Sequence, residues 1–94
     1  MRVLIPLVLA ACASSPMPGM SGATKAEVTA QGRDYTLWYT DANFEIVRHG
    51  WAAAGDHQAI RATMIALIPQ GTGCVLSERS LTGDSGEMRG LIRC

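Results

Sequence analysis

Two cysteines placed on either side of a turn constrain the fold of this chain more than any other feature. Cys74 and Cys94 flank a loop over residues 82–86, which is rich in turn-forming residues. A hairpin centred on Asp84 brings the two cysteines directly opposite each other. Opposed residues on antiparallel strands lie ~4.5–5.5 Å apart, a Cα separation that a disulfide tolerates. The sequence therefore predicts a Cys74–Cys94 disulfide that closes a C-terminal hairpin.

The strands of this hairpin are predicted over residues 74–81 and 87–94. The register pairs two further sets of residues, Leu76 with Ile92 and Ser80 with Met88. Both cysteines then share a face with the apolar residues, so the disulfide is expected on the buried side. A slip of one residue would break the pairing and turn the apolar face outward.

Alternating side chains in the first half of the chain predict three strands. The segments are 25–31, 35–40 and 44–49, separated by turn-forming residues. Val28 lies on one side of the first strand and Glu27 on the other. In the second strand, Tyr35, Leu37 and Tyr39 alternate with polar residues and Trp38. These strands are expected to form an antiparallel meander.

A single amphipathic helix is predicted between the meander and the hairpin. Asp56 is its expected N-cap, and the residue before Pro69 is its expected end, since proline disfavours helical geometry at the preceding position. One stripe of the helix carries residues at helical spacing: Ile60, Thr63, Met64, Leu67 and Ile68. The predicted fold is therefore α+β, in the order β-β-β-α-β-β, with the helix packed on a small antiparallel sheet.

The first twelve residues indicate export rather than a folded element. Arg2 precedes an apolar stretch, Val3–Ala11, that is followed by a cysteine. Leu9-Ala10-Ala11-Cys12 resembles the lipobox of bacterial lipoproteins. That resemblance implies that residues 1–11 are a signal peptide, that Cys12 is acylated after cleavage, and that Ala13 directs the protein to the outer membrane. The placement of Cys74 after Thr-Gly also resembles small exported proteins of alphaproteobacteria, which implies no particular activity.

Lipidation would account for the odd number of cysteines. With Cys12 acylated, Cys74 and Cys94 remain as a pair in an oxidising compartment. Residues 12–23 are rich in Pro, Gly and Ser and are expected to form a flexible tether, leaving residues 24–94 as the folded domain. The partner implied for Cys12 is membrane lipid, because two or three acyl chains anchor a protein almost permanently.

Two other interpretations of the first twelve residues remain open, whereas a membrane span and a nucleic-acid partner are not expected. An ordinary cleaved signal, or a buried N-terminal strand with Cys12 as a chance thiol, is the alternative to lipidation. Nine apolar residues are too few for a membrane span, which needs ~20. Loss of Arg2 with the signal leaves seven basic against eight acidic residues, so no nucleic-acid partner is expected.

No motif in the sequence predicts catalysis, a cofactor or a metal. His49 and His57 are the only histidines, and neither has metal-ligand spacing, although His57 beside Asp56 is the pair that an undetected hydrolase would use. Met17 and Met20 are compatible with a copper(I) ligand set but fit a low-complexity tether better. Gly83-Asp84-Ser85-Gly86 matches a serine-nucleophile loop by letters only, and a hairpin turn accounts for it.

The aromatic side chains offer a candidate interaction surface. Trp38, Tyr39 and Trp51 are the residues that we single out, because tryptophan and tyrosine anchor many interfaces. Trp38 and Tyr39 point to opposite sides of their strand, so at least one is expected outside the core.

The expected function is that of a cell-envelope lipoprotein facing the periplasm, which acts by binding an envelope protein or inhibiting an enzyme rather than by catalysis. The alternative is a structural lipoprotein that maintains the envelope without a specific ligand.

Overall fold

The computed structural model describes residues 22–94, so the predictions for the signal, for Cys12 and for most of the tether lie outside the described residues. The strands and the helix follow the predicted order, except that the strand predicted over residues 74–81 is interrupted by a 3-10 helix and a further two-residue strand follows it. The elements are β1 (Thr24–Ala30), β2 (Arg33–Tyr39), β3 (Asn43–Arg48), a 3-10 helix (Ala54–Asp56), α1 (His57–Thr72), β4 (Val75–Leu76), a second 3-10 helix (Glu78–Ser80), β5 (Thr82–Gly83) and β6 (Glu87–Arg93). None of the helices in this part of the chain is long and apolar enough to cross a membrane.

All strand pairs are antiparallel, and the strands lie in the order β1-β2-β3-β6-β4, with β5 beside β6. The α+β prediction and the meander are confirmed. Gln31 and Gly32 connect β1 to β2 with positive φ angles of 53° and 75°. Two successive residues of this kind form the tight turn whose twist matches that of the flanking strands. In the next turn, Thr40 Oγ1 accepts hydrogen bonds from the backbone N–H groups of Ala42 and Asn43, both at 3.1 Å.

The predicted disulfide between Cys74 and Cys94 is confirmed, with 4.5 Å between the Cα atoms. Beside it, Leu76 pairs with Ile92 as predicted. Ser80 does not pair with Met88, however, because the 3-10 helix adds residues to one strand and Gly83 takes that position instead. Ser80 instead stabilises the 3-10 helix: its Oγ donates to the Ser77 carbonyl at 2.6 Å and accepts from the Leu91 N–H at 2.8 Å.

Helix α1 begins where it was predicted to begin, after Asp56, but it ends later than predicted and its N-cap lacks the expected hydrogen bond. Pro69 does not end it, since the helix continues to Thr72 and stops at Gly73, whose φ of 73° is left-handed. Thr72 Oγ1 donates to the Ile68 carbonyl at 2.7 Å and supports this last turn. Asp56 occupies the N-cap position but makes no capping hydrogen bond. Its backbone is already helical there, and its carboxylate accepts from Arg33 at 2.9 Å instead.

The core lies between α1 and one face of the sheet. The predicted helical stripe is buried apart from Thr63, and Tyr35 and Leu37 face it from β2. Full burial of such an aliphatic or aromatic side chain contributes roughly 1.5–3 kcal/mol. The core residues are Tyr35, Leu37, Phe44, Ile46, Ile60, Met64, Leu67, Ile68, Cys74, Met88 and Ile92.

The two ends of the sheet have different neighbours, and we name them by the chain. The entry end, where β1 begins at Thr24, adjoins the end of α1 and the disulfide: Gly22, Thr24, Tyr39, Thr72, Cys74 and Cys94 line one shallow cavity there. The far end is formed where β1 ends at Ala30 and β3 ends at Arg48, close to the beginning of β6. Helix α1 starts from this far end.

Candidate functional site

The polar side chains that could bind a ligand or take part in a reaction converge at the far end of the sheet. Arg48 ends β3, His57 begins α1, and Ser85 lies in the turn between β5 and β6. These three segments are distant in sequence but meet because β3 and β6 are neighbours and α1 packs across them. The candidate site is therefore a product of the topology.

Ser85 forms the centre of this site. Its side chain makes a 2.5 Å hydrogen bond with Nδ1 of His57. Arg48 Nη1 donates to the Ser85 carbonyl at 2.8 Å and approaches Ser85 Oγ at 3.5 Å. Ser85 Oγ has two lone pairs and one proton, so it can accept from Arg48 and either donate to His57 Nδ1 or accept from it, depending on the tautomer of the ring. Ser85 is only 7% exposed, so these contacts hold it firmly.

The turn that carries Ser85 is fixed by the residue before it. Asp84 Oδ1 accepts from the Gly86 N–H at 2.8 Å and from the Glu87 N–H at 3.4 Å. These backbone hydrogen bonds, Gly86 first, lower the pKa of Asp84 below its ordinary value because they favour the carboxylate. The backbone N–H of Asp84 also donates to the Glu87 carbonyl at 2.8 Å. The turn therefore presents Ser85 in one conformation.

A cavity of about 460 Å³ opens in front of Ser85. Helix α1 provides one wall and the β5–β6 turn the other. Its lining residues are His57, Gln58, Arg61, Gly83, Asp84 and Ser85. The cavity thus combines a cationic guanidinium, a carboxylate, an imidazole and an amide, which suits a small polar group with several hydrogen-bonding atoms.

Trp51 is the most exposed large apolar side chain in the described part of the chain, at 84%. It follows Gly50, whose φ of 88° turns the loop after β3 outward. The loop begins where β3 ends and leads to the first residue of α1, so Trp51 also belongs to the far end.

The three aromatic residues of the predicted interaction surface do not form one surface. Trp38 is 9% exposed and lies under Lys25, whose Nζ is 5.2 Å from the ring centroid. Tyr39 is half-buried on the opposite face, beside the core. Only Trp51 is freely accessible, so the interaction surface remains a prediction for Trp51 alone.

The two histidines occupy separate places. His49 Nε2 lies 2.6 Å from Thr36 Oγ1, whose single proton donates to Glu27 Oε1 at 2.9 Å. His49 therefore donates to Thr36 on the sheet face that lacks a helix. Asp56, which we paired with His57 as a hydrolase candidate, is bound by Arg33. Within residues 22–94 no group of three or more His, Cys, Asp or Glu side chains could hold a metal ion.

The Ser85–His57 pair was not predicted from the sequence. The short motif Gly83–Gly86 drew attention to Ser85, but its partner lies 28 residues away in sequence. No spacing rule links a turn to a helix start, since only the packing of α1 brings them together. The signal that was present was the density of turn residues around a single serine.

No family model, curated protein or solved structure matches this chain.

Proposed function

We propose that this protein is a lipid-anchored lipoprotein of the cell envelope that works as a binding module. Acylated Cys12 would hold it to a membrane, with the outer membrane facing the periplasm as the expected site. The observation that carries the proposal is that the two ends of the domain differ. The chain enters the sheet at Thr24, whereas Trp51 lies exposed at the opposite end. An anchor at one end leaves the other free to meet a partner.

Trp51 has the properties of an interface anchor. Tryptophan is enriched among the residues that dominate binding energy, because a large rigid side chain becomes fully desolvated in a pocket. The neighbouring residues 52–54 are alanines, which leave the indole ring unobstructed. Arg61 and Asp84 near the helix start provide charged groups for the rim. The partner that fits is an envelope protein with an apolar pocket bordered by polar groups.

The test compares two exposed apolar residues at opposite ends of the sheet. Full-length protein is crosslinked in cells as wild type, Trp51→Ala and Val75→Ala, since Val75 is 56% exposed near the entry end. We expect Trp51→Ala to lose the crosslinked partner and Val75→Ala to keep it, with both variants folded by circular dichroism. Equal capture by Trp51→Ala and wild type would refute the binding role of Trp51.

A structural role in envelope maintenance makes the opposite prediction in the same cells. Deletion of the gene would change envelope permeability, and Trp51→Ala would restore it fully, because no specific ligand is involved.

The 2.5 Å contact between Ser85 and His57 favours a second candidate function, ester hydrolysis. Ser85 Oγ would attack the ester carbonyl carbon while His57 Nδ1 takes its proton, and Arg48 would face the negative charge that develops. The carbon–oxygen bond to the alcohol then breaks, and the alcohol takes the proton from His57. Water next attacks the acyl-serine, passing a proton through His57 to Ser85 and releasing the carboxylic acid.

A fluorophosphonate probe tests this candidate directly. We expect the probe to add to Ser85 in the wild type and in His49→Ala, which removes the other imidazole–hydroxyl pair. His57→Ala should reduce labelling at least about tenfold, since the general base typically contributes 10²–10⁴-fold. Mass spectrometry of the tryptic peptide reports the site, and an unlabelled Ser85 in the folded wild type would exclude the mechanism.

A further inference from the structure

The two margins of the sheet differ in length and regularity. On one side β4 and β5 contain two residues each and are separated by a 3-10 helix. On the other side β1 runs for seven residues in continuous register with β2, from Thr24 to Ala30. Within the described residues β1 pairs with no other strand. It contains no proline and no bulge, so its outer edge is a complete template for another strand.

The side chains of β1 define what a pairing strand must offer. Ala26, Val28 and Ala30 pack partly buried against the core on the helix face. Lys25 and Glu27 lie on the opposite face and form an ion pair of 3.3 Å. A matching strand needs small apolar residues on one face and charges of both signs on the other. A second copy of β1 has this pattern.

We propose that two copies of this chain pair through antiparallel β1 strands, with Ala26 of one copy opposite Ala26 of the other. In this register Lys25 of each copy lies opposite Glu27 of the other. Opposite charges that face each other across strands stabilise the pairing, and like charges destabilise it. The dimer would extend the sheet across both copies and place both helices on the same side.

Neighbouring registers are unfavourable for a physical reason. A symmetric pairing centred on Lys25 sets two ammonium groups against each other, and one centred on Glu27 sets two carboxylates against each other. A register centred between two residues would turn the apolar face of one copy onto the charged face of the other. Charges on an edge strand discourage pairing with unrelated strands, but here they select the second copy.

Lys25 and Glu27 are already held in place for this pairing. Lys25 Nζ lies over the Trp38 ring at 5.2 Å, and Thr36 Oγ1 donates to Glu27 Oε1 at 2.9 Å. These contacts keep both charges on the sheet face near the edge and reduce the side-chain entropy lost on pairing. In this pairing the far end of each copy lies on the same side of the dimer as the entry end of the other.

The experiment uses charge reversal in full-length protein purified in detergent, with copies per particle counted by native mass spectrometry. We expect wild type to be dimeric and Lys25→Glu and Glu27→Lys each to shift the dimer dissociation constant upward by about tenfold or more. A mixture of the two variants should form one-to-one heterodimers, because their charges then face opposite charges. A monomeric wild type, dimeric single variants or a mixture that fails to associate would each overturn the proposal.

Cysteine at the symmetry axis tests the register without changing charge. Ala26→Cys is expected to crosslink two copies under oxidation, since its partner is the same residue at strand-pairing distance. Val28→Cys is the matched control on the same face, and the two copies of this residue lie too far apart to bond. Crosslinking through Val28→Cys and not Ala26→Cys would contradict the register.

Discussion

At the scale of single residues, Glu87 illustrates how a surface carboxylate is perturbed by its setting. It pairs with Arg89 at 3.1 Å, yet its Oε2 is buried and has no hydrogen-bond donor among the described residues. Burial raises the pKa of Glu87 above its ordinary value, and a hydrogen bond shared with Glu45 raises it further. The protonated acid can donate to Glu45, whereas the carboxylate cannot.

The raised pKa gives a pH dependence of defined sign. Between the ordinary value, ~4.3, and the raised one, the native state binds more protons than the unfolded state, so stability falls as the pH rises. Glu87→Gln should therefore stabilise the protein at pH 7, by less than about 1 kcal/mol on this partly solvated surface, and the gain should vanish near pH 4. Thermal unfolding across this range checks the difference. Glu78→Gln, on the exposed 3-10 helix, should show no such trend.

The lowered pKa of Asp84 acts with the opposite sign and in a different range. Its contribution to stability is present above its unfolded value, ~3.9, and is lost as the pH falls below it. An Asp84→Asn variant should thus become less distinguishable from wild type in acid. Urea unfolding at pH 7 and pH 3 provides the comparison, and a gap that widens in acid would contradict the assignment.

Alanine substitutions at two glycines distinguish the cost of backbone strain from the cost of steric overlap. Gly32 has a φ of 75° with open space around it, whereas Gly83 has a φ of 102° and a Cβ there would overlap the Glu87 carbonyl oxygen and lie 2.9 Å from Met88 Cα. Gly32→Ala should cost about 1 kcal/mol from strain alone. Gly83→Ala should cost at least about 2 kcal/mol, because the strands must also move apart. Urea midpoints measured under one condition give both values.

At the scale of secondary-structure elements, the disulfide compensates for a very short strand. β4 has only two residues, so its hydrogen bonds to β6 cannot secure this margin alone. A closed loop of about twenty residues is worth roughly 3 kcal/mol in the chain-entropy description. Cys74→Ala with Cys94→Ala should lose this amount in urea unfolding. Reductant should lower the wild type to the same level and leave the double variant unchanged.

The elements with a regular hydrophobic pattern could be predicted from the sequence. The irregular elements, which have no such pattern, could not. Alternation located β1 to β3, helical spacing located α1, and the two cysteines fixed the register of Leu76 with Ile92. The 3-10 helix Glu78–Ser80 has no hydrophobic pattern of its own, so its shift of the register was invisible in the sequence. The prediction that α1 ends before Pro69 was wrong, because the left-handed conformation of Gly73 ends the helix.

The same distinction applies to the candidate site. Exposure of Trp51 and burial of Trp38 depend on which residues lie above each ring, and the alternation of one strand does not contain that information. His57 and Ser85 become neighbours only after α1 has crossed the sheet. The pairing of Asp56 with Arg33 likewise joins two segments that no local signal connects.

At the scale of the whole molecule, the anchor and the fold are expected to be separable. The core and the disulfide lie within residues 22–94, so Cys12→Ser should leave the folded domain intact. If Cys12 is acylated as proposed, the variant should move almost completely from the detergent phase to the aqueous phase in phase partitioning, because it would lack the acyl chains that hold the wild type to a membrane. Mass spectrometry of the mature N-terminus verifies the modification, and an unmodified Cys12 in membrane-bound wild type would refute the anchor.

The central position of β6 has a consequence for how the chain folds as it is made. The meander of β1, β2 and β3 can assemble from neighbouring segments, but β3 then exposes a bare edge that β6 alone can cover. β6 is synthesised after every other strand, so this edge stays open until the end of the described chain has emerged. Until β6 has paired with β3 the half-built sheet is an aggregation hazard, and the Cys74–Cys94 disulfide can form only when β6 is in place, so its formation marks the removal of that hazard.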